Sequence, residues 1–338
     1  MPKNKIKKIL PVVLPVGGGK GGTGRSLVTA NLGLILARLE HKVVCVDADL
    51  GGSDLHNLLG LENDLAGLGE VLADKNLTVD QVVHPVLEPD FSFLPGDAMM
   101  VATANPVFQK KRKLLHDLGK LPCEFLLMDL GGGTSITVLD FFLASPLSLV
   151  LMLPEKPSAL AAFNFIKNAL FRAMDRIFRQ NNRTKAVLEE YRRRGRGPGS
   201  VKLFELVMAL EKAKPGEGKR AREIIKQMRP KLLLNRVKQV DDFVYAQQLE
   251  KWVATDLGVP LETLGFLPED ENLQQAAKKG VAAMDFDPAS PFCRALTLIG
   301  LKLSPWAGRV SEYQEHKDYK DSFGRAATEF APFFPPPV

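Results

Sequence analysis

The chain has 338 residues, 45% of them hydrophobic, which is enough apolar material for one large α/β core or two modest domains. Lys and Arg outnumber Asp and Glu by 45 to 39, a net charge of +6 whose meaning depends on where it is concentrated. Cys45, Cys123 and Cys293 stand far apart with no CxxC or Cys/His cluster, which disfavours a disulfide framework or a zinc site and fits a reducing cytoplasm. No run of about 18 apolar residues occurs, so no membrane-spanning helix is expected. The basic-then-apolar opening, Lys3 to Val16, is broken by Pro11 and Pro15 and does not read as an export signal.

The first apolar run, Ile9 to Val16, carries two prolines. Each removes a backbone donor, so this strand is expected to be short or paired mainly on one side. It leads into Gly19-Lys20-Gly21-Gly22-Thr23-Gly24-Arg25-Ser26 and then an apolar helix pattern, Leu27 to Ala37. Strand, glycine loop and helix in this order form a phosphate cradle. The glycines turn N–H groups inward, the helix N-terminus adds partial positive charge, and Ser26 offers a hydroxyl to Mg²⁺.

The second run, Lys42 to Val46, ends in Asp47-Ala48-Asp49-Leu50-Gly51-Gly52-Ser53-Asp54-Leu55-His56. Carboxylates on alternate residues after a buried strand can approach a metal–phosphate centre, and the glycines leave the loop able to move. Phe91 to Leu94 reads as a further strand. Phe125 to Met128 is another, closed by Asp129-Leu130-Gly131-Gly132-Gly133-Thr134, an aspartate at a strand end followed by glycines that can face a γ-phosphate. Leu147 to Leu153 precedes Pro154-Glu155-Lys156-Pro157-Ser158.

From Phe171 to Pro230 the rhythm changes to helix formers, with 17 Lys/Arg against 7 Asp/Glu, a net of +10. The rest of the chain is therefore net negative, and the basic character belongs to this segment. Arg192, Arg193, Arg194 and Arg196 beside Gly195, Gly197 and Gly199 read as a mobile basic turn in a helical insertion. Leu232 to Leu234 is followed by Asn235, and Thr263 to Leu267 by Pro268-Glu269-Asp270. Residues 304–338 turn polar and then Phe/Pro-rich, the pattern of a loosely attached tail. Strands alternating with helices predict an α/β fold: a mainly parallel central sheet with helices on both faces, spanning 1–303 as one domain that includes the 171–230 insertion. Ligands then gather at the carboxyl ends of the strands.

The loop from Gly19 to Ser26 resembles the KGGxGK[ST] loop of MinD/ParA proteins, the deviant Walker A branch of P-loop NTPases, with Lys20 as the early signature lysine. The resemblance, closest to MinD/FlhG-like members, implies an ATP- and Mg²⁺-dependent switch in which Lys20 reaches a partner's phosphates across an ATP-dependent homodimer. It further implies that Asp49 orients the attacking water, and that Asp47, Ser26 and Asp129 arrange the metal. Gly19, Gly21, Gly22, Thr23, Gly24 and Arg25 complete the nucleotide cradle, and Asn235, Pro268 and Glu269 face the base. Arg25 departs from the pattern, which has lysine there; weak or absent hydrolysis follows as an expectation. Chemistry at the level of cellular positioning, with an unidentified protein partner, is one implication. A ParA-like partition ATPase holding DNA non-specifically through the basic insertion is a second. A nucleotide-binding scaffold that does not turn over is a third. His41, His56, His84, His116 and His316 are scattered and suggest no substrate constellation.

Overall fold

Runs such as Val43 to Val46 and Phe125 to Met128 have apolar side chains at consecutive positions, so both faces of each strand must be covered. The computed structural model, which describes residues 10–52, 54–62, 64–74, 76–96, 108–195, 197–307 and 321–334, covers them in that way. Among these residues the strands are β1 Val12–Gly17, β2 Val43–Ala48, β3 His84–Pro85, β4 Phe91–Leu94, β5 Phe125–Leu130, β6 Leu149–Met152, β7 Lys231–Val237 and β8 Glu262–Pro268. They form one sheet in the order β3-β4-β2-β5-β1-β6-β7-β8, parallel except for the β3–β4 edge pair. The opening segment as far as Ile9, together with Ser53 and Arg196, lies outside the described residues.

The helices are α1 Arg25–Arg38, α2 Leu55–Leu58, α3 Leu68–Ala73, α4 Phe108–Leu118, α5 Ile136–Phe142, α6 Lys156–Phe178 and α7 Asn182–Arg193. They continue with α8 Leu203–Ala213, α9 Glu217–Gln227, α10 Val244–Trp252, α11 Asn272–Lys278, α12 Ala283–Phe286, α13 Pro291–Leu303 and α14 Ser322–Phe330. Gly33 of α1 lies against Cys45 and Phe91, whereas Gly17 lies against Phe165 of α6 and Phe142 of α5. Cys45 and Gly17 point to opposite faces by the β2–β5–β1 register, so α1 covers one face and α5 with α6 the other. Cys45, Cys123 and Cys293 are all buried free thiols.

β1 explains its own prolines. Val12 donates its N–H to Glu124 on the β5 side, and N–H groups alternate along a strand, so the donor missing at Pro15 falls on the β6 side. There the ladder begins only at Val16, while the β5 ladder runs from Val12 to Val16. The strand is central, yet its pairing is lopsided as expected, and Pro11 lies just before it.

Two expectations are corrected. The glycines of the basic turn are anchored to other elements: Lys167, a buried side chain of α6, donates to the Gly195 carbonyl at 2.6 Å, Asn164 accepts from Gly197 N–H at 3.0 Å, and Asp256 accepts from Gly199 N–H at 2.6 Å. The tail is not loose over 321–334, because α14 packs on β8 with Phe330 fully buried. A Cβ at Gly265 would come 2.5 Å from the Phe330 ring, so the glycine makes room for it. The basic segment also begins inside an established element, since Phe171 and Phe178 are buried residues of α6.

Candidate functional site

The ends of β2, β5 and β1 lie side by side. Asp129 pairs in register with both Asp47 and Val16, which brings the phosphate loop and two aspartates together at the carboxyl ends of the central strands. Gly24 caps α1 with φ 90°, a conformation that a side chain strains, and the Asn235 amide occupies the space where its Cβ would project. The first turn of α1 has no acidic residue and no side-chain cap, so its N–H groups remain open to an anion. Around Gly21 and Gly22 nothing among the described residues lies within 4 Å of where a Cβ would stand. The loop is thus a bare backbone cradle, supported from behind by Asn235, which donates to the Thr23 carbonyl at 2.8 Å.

Asp129 is 2% exposed, and one of its carboxylate oxygens, Oδ1, is buried without a hydrogen-bond partner among the described residues. Burial and the neighbouring charge of Asp47 push its pKa up to about 8, against the opposing hydrogen bond from Ser26 and the charge of Arg25. An orphaned carboxylate oxygen beside a serine hydroxyl is an arrangement that a bound cation could satisfy. Asp47 is fully buried and accepts the N–H groups of Asp49 and Leu55, each at 3.1 Å, so it also shapes the acidic loop. Asp49 faces Gly131 closely enough that a Cβ there would come 2.7 Å from its Oδ1. The two loops expected to carry the water-orienting and metal-arranging groups therefore touch.

Lys20 and Arg25 take different courses. Lys20 Nζ reaches Glu155 Oε1 at 2.6 Å, with both side chains nearly half exposed. Arg25 folds across the loop: Nη1 donates to the Lys20 carbonyl at 2.7 Å and to Thr23 Oγ1 at 3.3 Å, and Nε donates to the Leu130 carbonyl at 3.1 Å. The sequence of the Pro154 to Ser158 segment assigns Glu155 no role, and the Leu130 carbonyl carries no side-chain signal at all.

On the other flank, Val237 and Pro268 pair at the ends of β7 and β8. Glu269 donates its N–H to the Val237 carbonyl at 2.9 Å and its carboxylate holds Lys238 at 3.2 Å. Asn235 is buried, with its amide nitrogen on Thr23 and its Oδ1 accepting the Arg236 N–H at 2.9 Å. The structure brings Asn235 to the loop itself, with Pro268 and Glu269 one strand further out.

The septum site-determining protein MinD of Helicobacter pylori is 24% identical over 317 residues, covering 93% of this chain and 97% of that protein. A putative MinD of Emiliania huxleyi is 32% identical over 122 residues, 36% of this chain and 44% of that protein, so this match spans less than half of the relative's length. Among solved structures, MinD complexed with Mg-ADP from Pyrococcus horikoshii matches with a TM-score of 0.61 at 18% identity, over 91% of this chain and 100% of that chain. The MinC:MinD complex of Aquifex aeolicus gives 0.55 at 20% identity, over 87% and 95%. At these identities the structural likeness establishes the fold. The family model for the CobQ/CobB/MinD/ParA nucleotide-binding domain matches residues 15–283, and with the glycine loop and aspartates in the geometry described, the chain belongs to this family.

Proposed function

We propose that this chain is a Mg²⁺- and ATP-binding molecular switch of the cytoplasm that dimerises with ATP, hydrolyses it slowly and controls the position of a cellular structure together with a protein partner. The observation that carries the reading is the buried, unpartnered Asp129 Oδ1 beside Ser26, at the mouth of an uncapped glycine loop. The donor set fits Mg²⁺, a hard cation that takes few protein oxygens and fills its shell with water and phosphate. When bound, the metal neutralises charge on the β/γ-phosphates. Ser26 and Asp129 hold its shell, Asp47 fixes the acidic loop, and Asp49 orients the water. Lys20 exchanges Glu155 for phosphate oxygens across the dimer. Asn235 steadies the loop, and Pro268 and Glu269 border the base. The likeness to a protein solved with Mg-ADP, and to one solved with MinC, supports the ligand and a protein partner respectively.

The test is calorimetric titration of ATP and ADP with and without Mg²⁺. Ser26→Ala should weaken the metal-dependent component at least tenfold, and an absence of heat at millimolar nucleotide would refute the reading. A partition ATPase is the second reading, motivated by the net +10 of residues 171–230. Part of that charge is internally paired, Arg192 with Asp175 and Arg194 with Glu190, which weakens it. A non-hydrolysing scaffold is the third, motivated by the Arg25 contacts.

A further inference from the structure

We propose that the cleft between α6 and α7 is a second anion site, selective for small phosphate-class polyanions such as pyrophosphate, and that it is wired to α5. Arg172 and Arg176 of α6 and Arg179, which caps its C-terminus, recur at helical spacing, and Lys185 and Arg192 face them from α7. These five cations line a cavity of about 180 Å³. Arg192 pairs with Asp175 at 2.5 Å and Lys185 lies 3.9 Å from Glu189, so the two carboxylates in the cleft offset part of the charge.

The deeper arginines are shared. Asp140 of α5, 2% exposed, receives Arg172 in a two-point fork at 2.7 and 3.0 Å, Arg176 at 2.7 Å and Lys111 at 3.0 Å. One carboxylate thus faces three cations, and the buried Arg176 Nε has no partner among the described residues. Guanidinium forks match phosphate oxygens in the same two-point manner, so an anion in the cleft competes with Asp140 for the same donors. The cavity's size suits an oligophosphate rather than a nucleic-acid duplex, which needs an open ridge. α5 follows directly on the Asp129–Thr134 loop, with Ser135 capping it through Val138 N–H at 3.3 Å. Drawing Arg172 and Arg176 off Asp140 therefore loosens the helix attached to that loop. The anion site stands without the nucleotide reading, whereas its regulatory meaning rests on it.

The experiment titrates pyrophosphate with Mg²⁺ present into the nucleotide-free full chain by calorimetry, with Arg179→Ala/Lys185→Ala in the cleft and Lys20→Ala/Ser26→Ala in the glycine loop. Two binding events are expected in wild type, each variant losing a different one at least tenfold. A single event abolished only by the cleft variant would leave this proposal standing while removing the nucleotide reading. Pyrophosphate binding that the cleft variant leaves unchanged overturns the proposal, as does displacement of cleft-bound pyrophosphate by a DNA duplex. Arg179→Gln/Lys185→Gln, which keeps the aliphatic stems, replaces the alanine pair if that variant melts early. Hydrogen exchange of Ile136–Phe142 in the glycine-loop variant should quicken about threefold or more with pyrophosphate; unchanged exchange overturns the link to α5.

Discussion

Arg25 Nε donates to the Leu130 carbonyl at 3.1 Å, so one side chain ties the phosphate loop to the exit of β5. Its Nη1 holds the Lys20 carbonyl at the same time. A lysine has a single ammonium and cannot span both points, but it brings a compact charge to the phosphate oxygens. Arg25→Lys should release the two loops from each other and speed steady-state phosphate release, by up to on the order of a hundredfold where positioning limits the rate. Asp49→Ala should fall to background. A wild type already as fast as Arg25→Lys would show that the cross-loop contact does not restrain the chemistry.

Asp129 makes the metal-free protein sensitive to alkali. Its folded pKa, raised to about 8 by burial and by Asp47, lies above the unfolded value, so the native state holds the extra proton. The associated stability is complete below the unfolded carboxylate pKa near 4 and is lost as pH rises through about 8. In EDTA, wild type should lose stability relative to Asp129→Asn at roughly 1 kcal/mol per pH unit between pH 5 and 8, by urea melts across that range. Parallel curves for the two proteins would show that Asp129 does not titrate there.

Asp140 behaves in the opposite sense. Burial alone would raise its pKa, but hydrogen bonds from Arg172, Lys111 and Arg176 outweigh it and hold the value down at about 2. Its contribution is full above the unfolded carboxylate pKa near 4 and disappears as pH falls through about 2. Asp140→Asn should cost about 3–5 kcal/mol at neutral pH, because it leaves three cations facing no anion. The deficit should shrink in acid, and a deficit independent of pH would assign the loss to packing.

The strands were legible because a buried parallel strand must be apolar at consecutive positions, as Phe125 to Met128 is. β3 was not, since His84-Pro85 is two residues with no run. Loop chemistry was legible where local order alone implies it: the glycine loop, and aspartates ending β2 and β5. What escaped was tertiary. The turn of Gly195, Gly197 and Gly199 looks mobile by composition, yet its anchors, Asn164, Lys167 and Asp256, lie far away in sequence. The Phe-rich tail looks loose until Gly265 exposes a strip of β8 that only a bare backbone leaves open for Phe330. Asn235, placed by its segment toward a base, also donates its amide to the Thr23 carbonyl, a contact that no local pattern signals.

Lys20 and Glu155 form the contact most open to exchange. Their side chains are 45% and 41% exposed, and a pair so solvated contributes about 1 kcal/mol or less. In the proposed ATP dimer, two facing triphosphates would offer the lysine a far stronger field, so the intramolecular pair would act as a light restraint on that dimerisation. Glu155→Gln should leave the melting temperature within a few degrees of wild type while lowering the ATP needed for half-maximal dimer by up to about fivefold, the equivalent of about 1 kcal/mol. Lys20→Ala should bind nucleotide and remain a monomer. Light scattering with ADP, ATP and a non-hydrolysable analogue measures both variants. A Glu155→Gln protein that needs more ATP than wild type would show that the carboxylate assists assembly, for example by holding Lys20 in its reaching conformation, and would reverse the sign assigned to this contact.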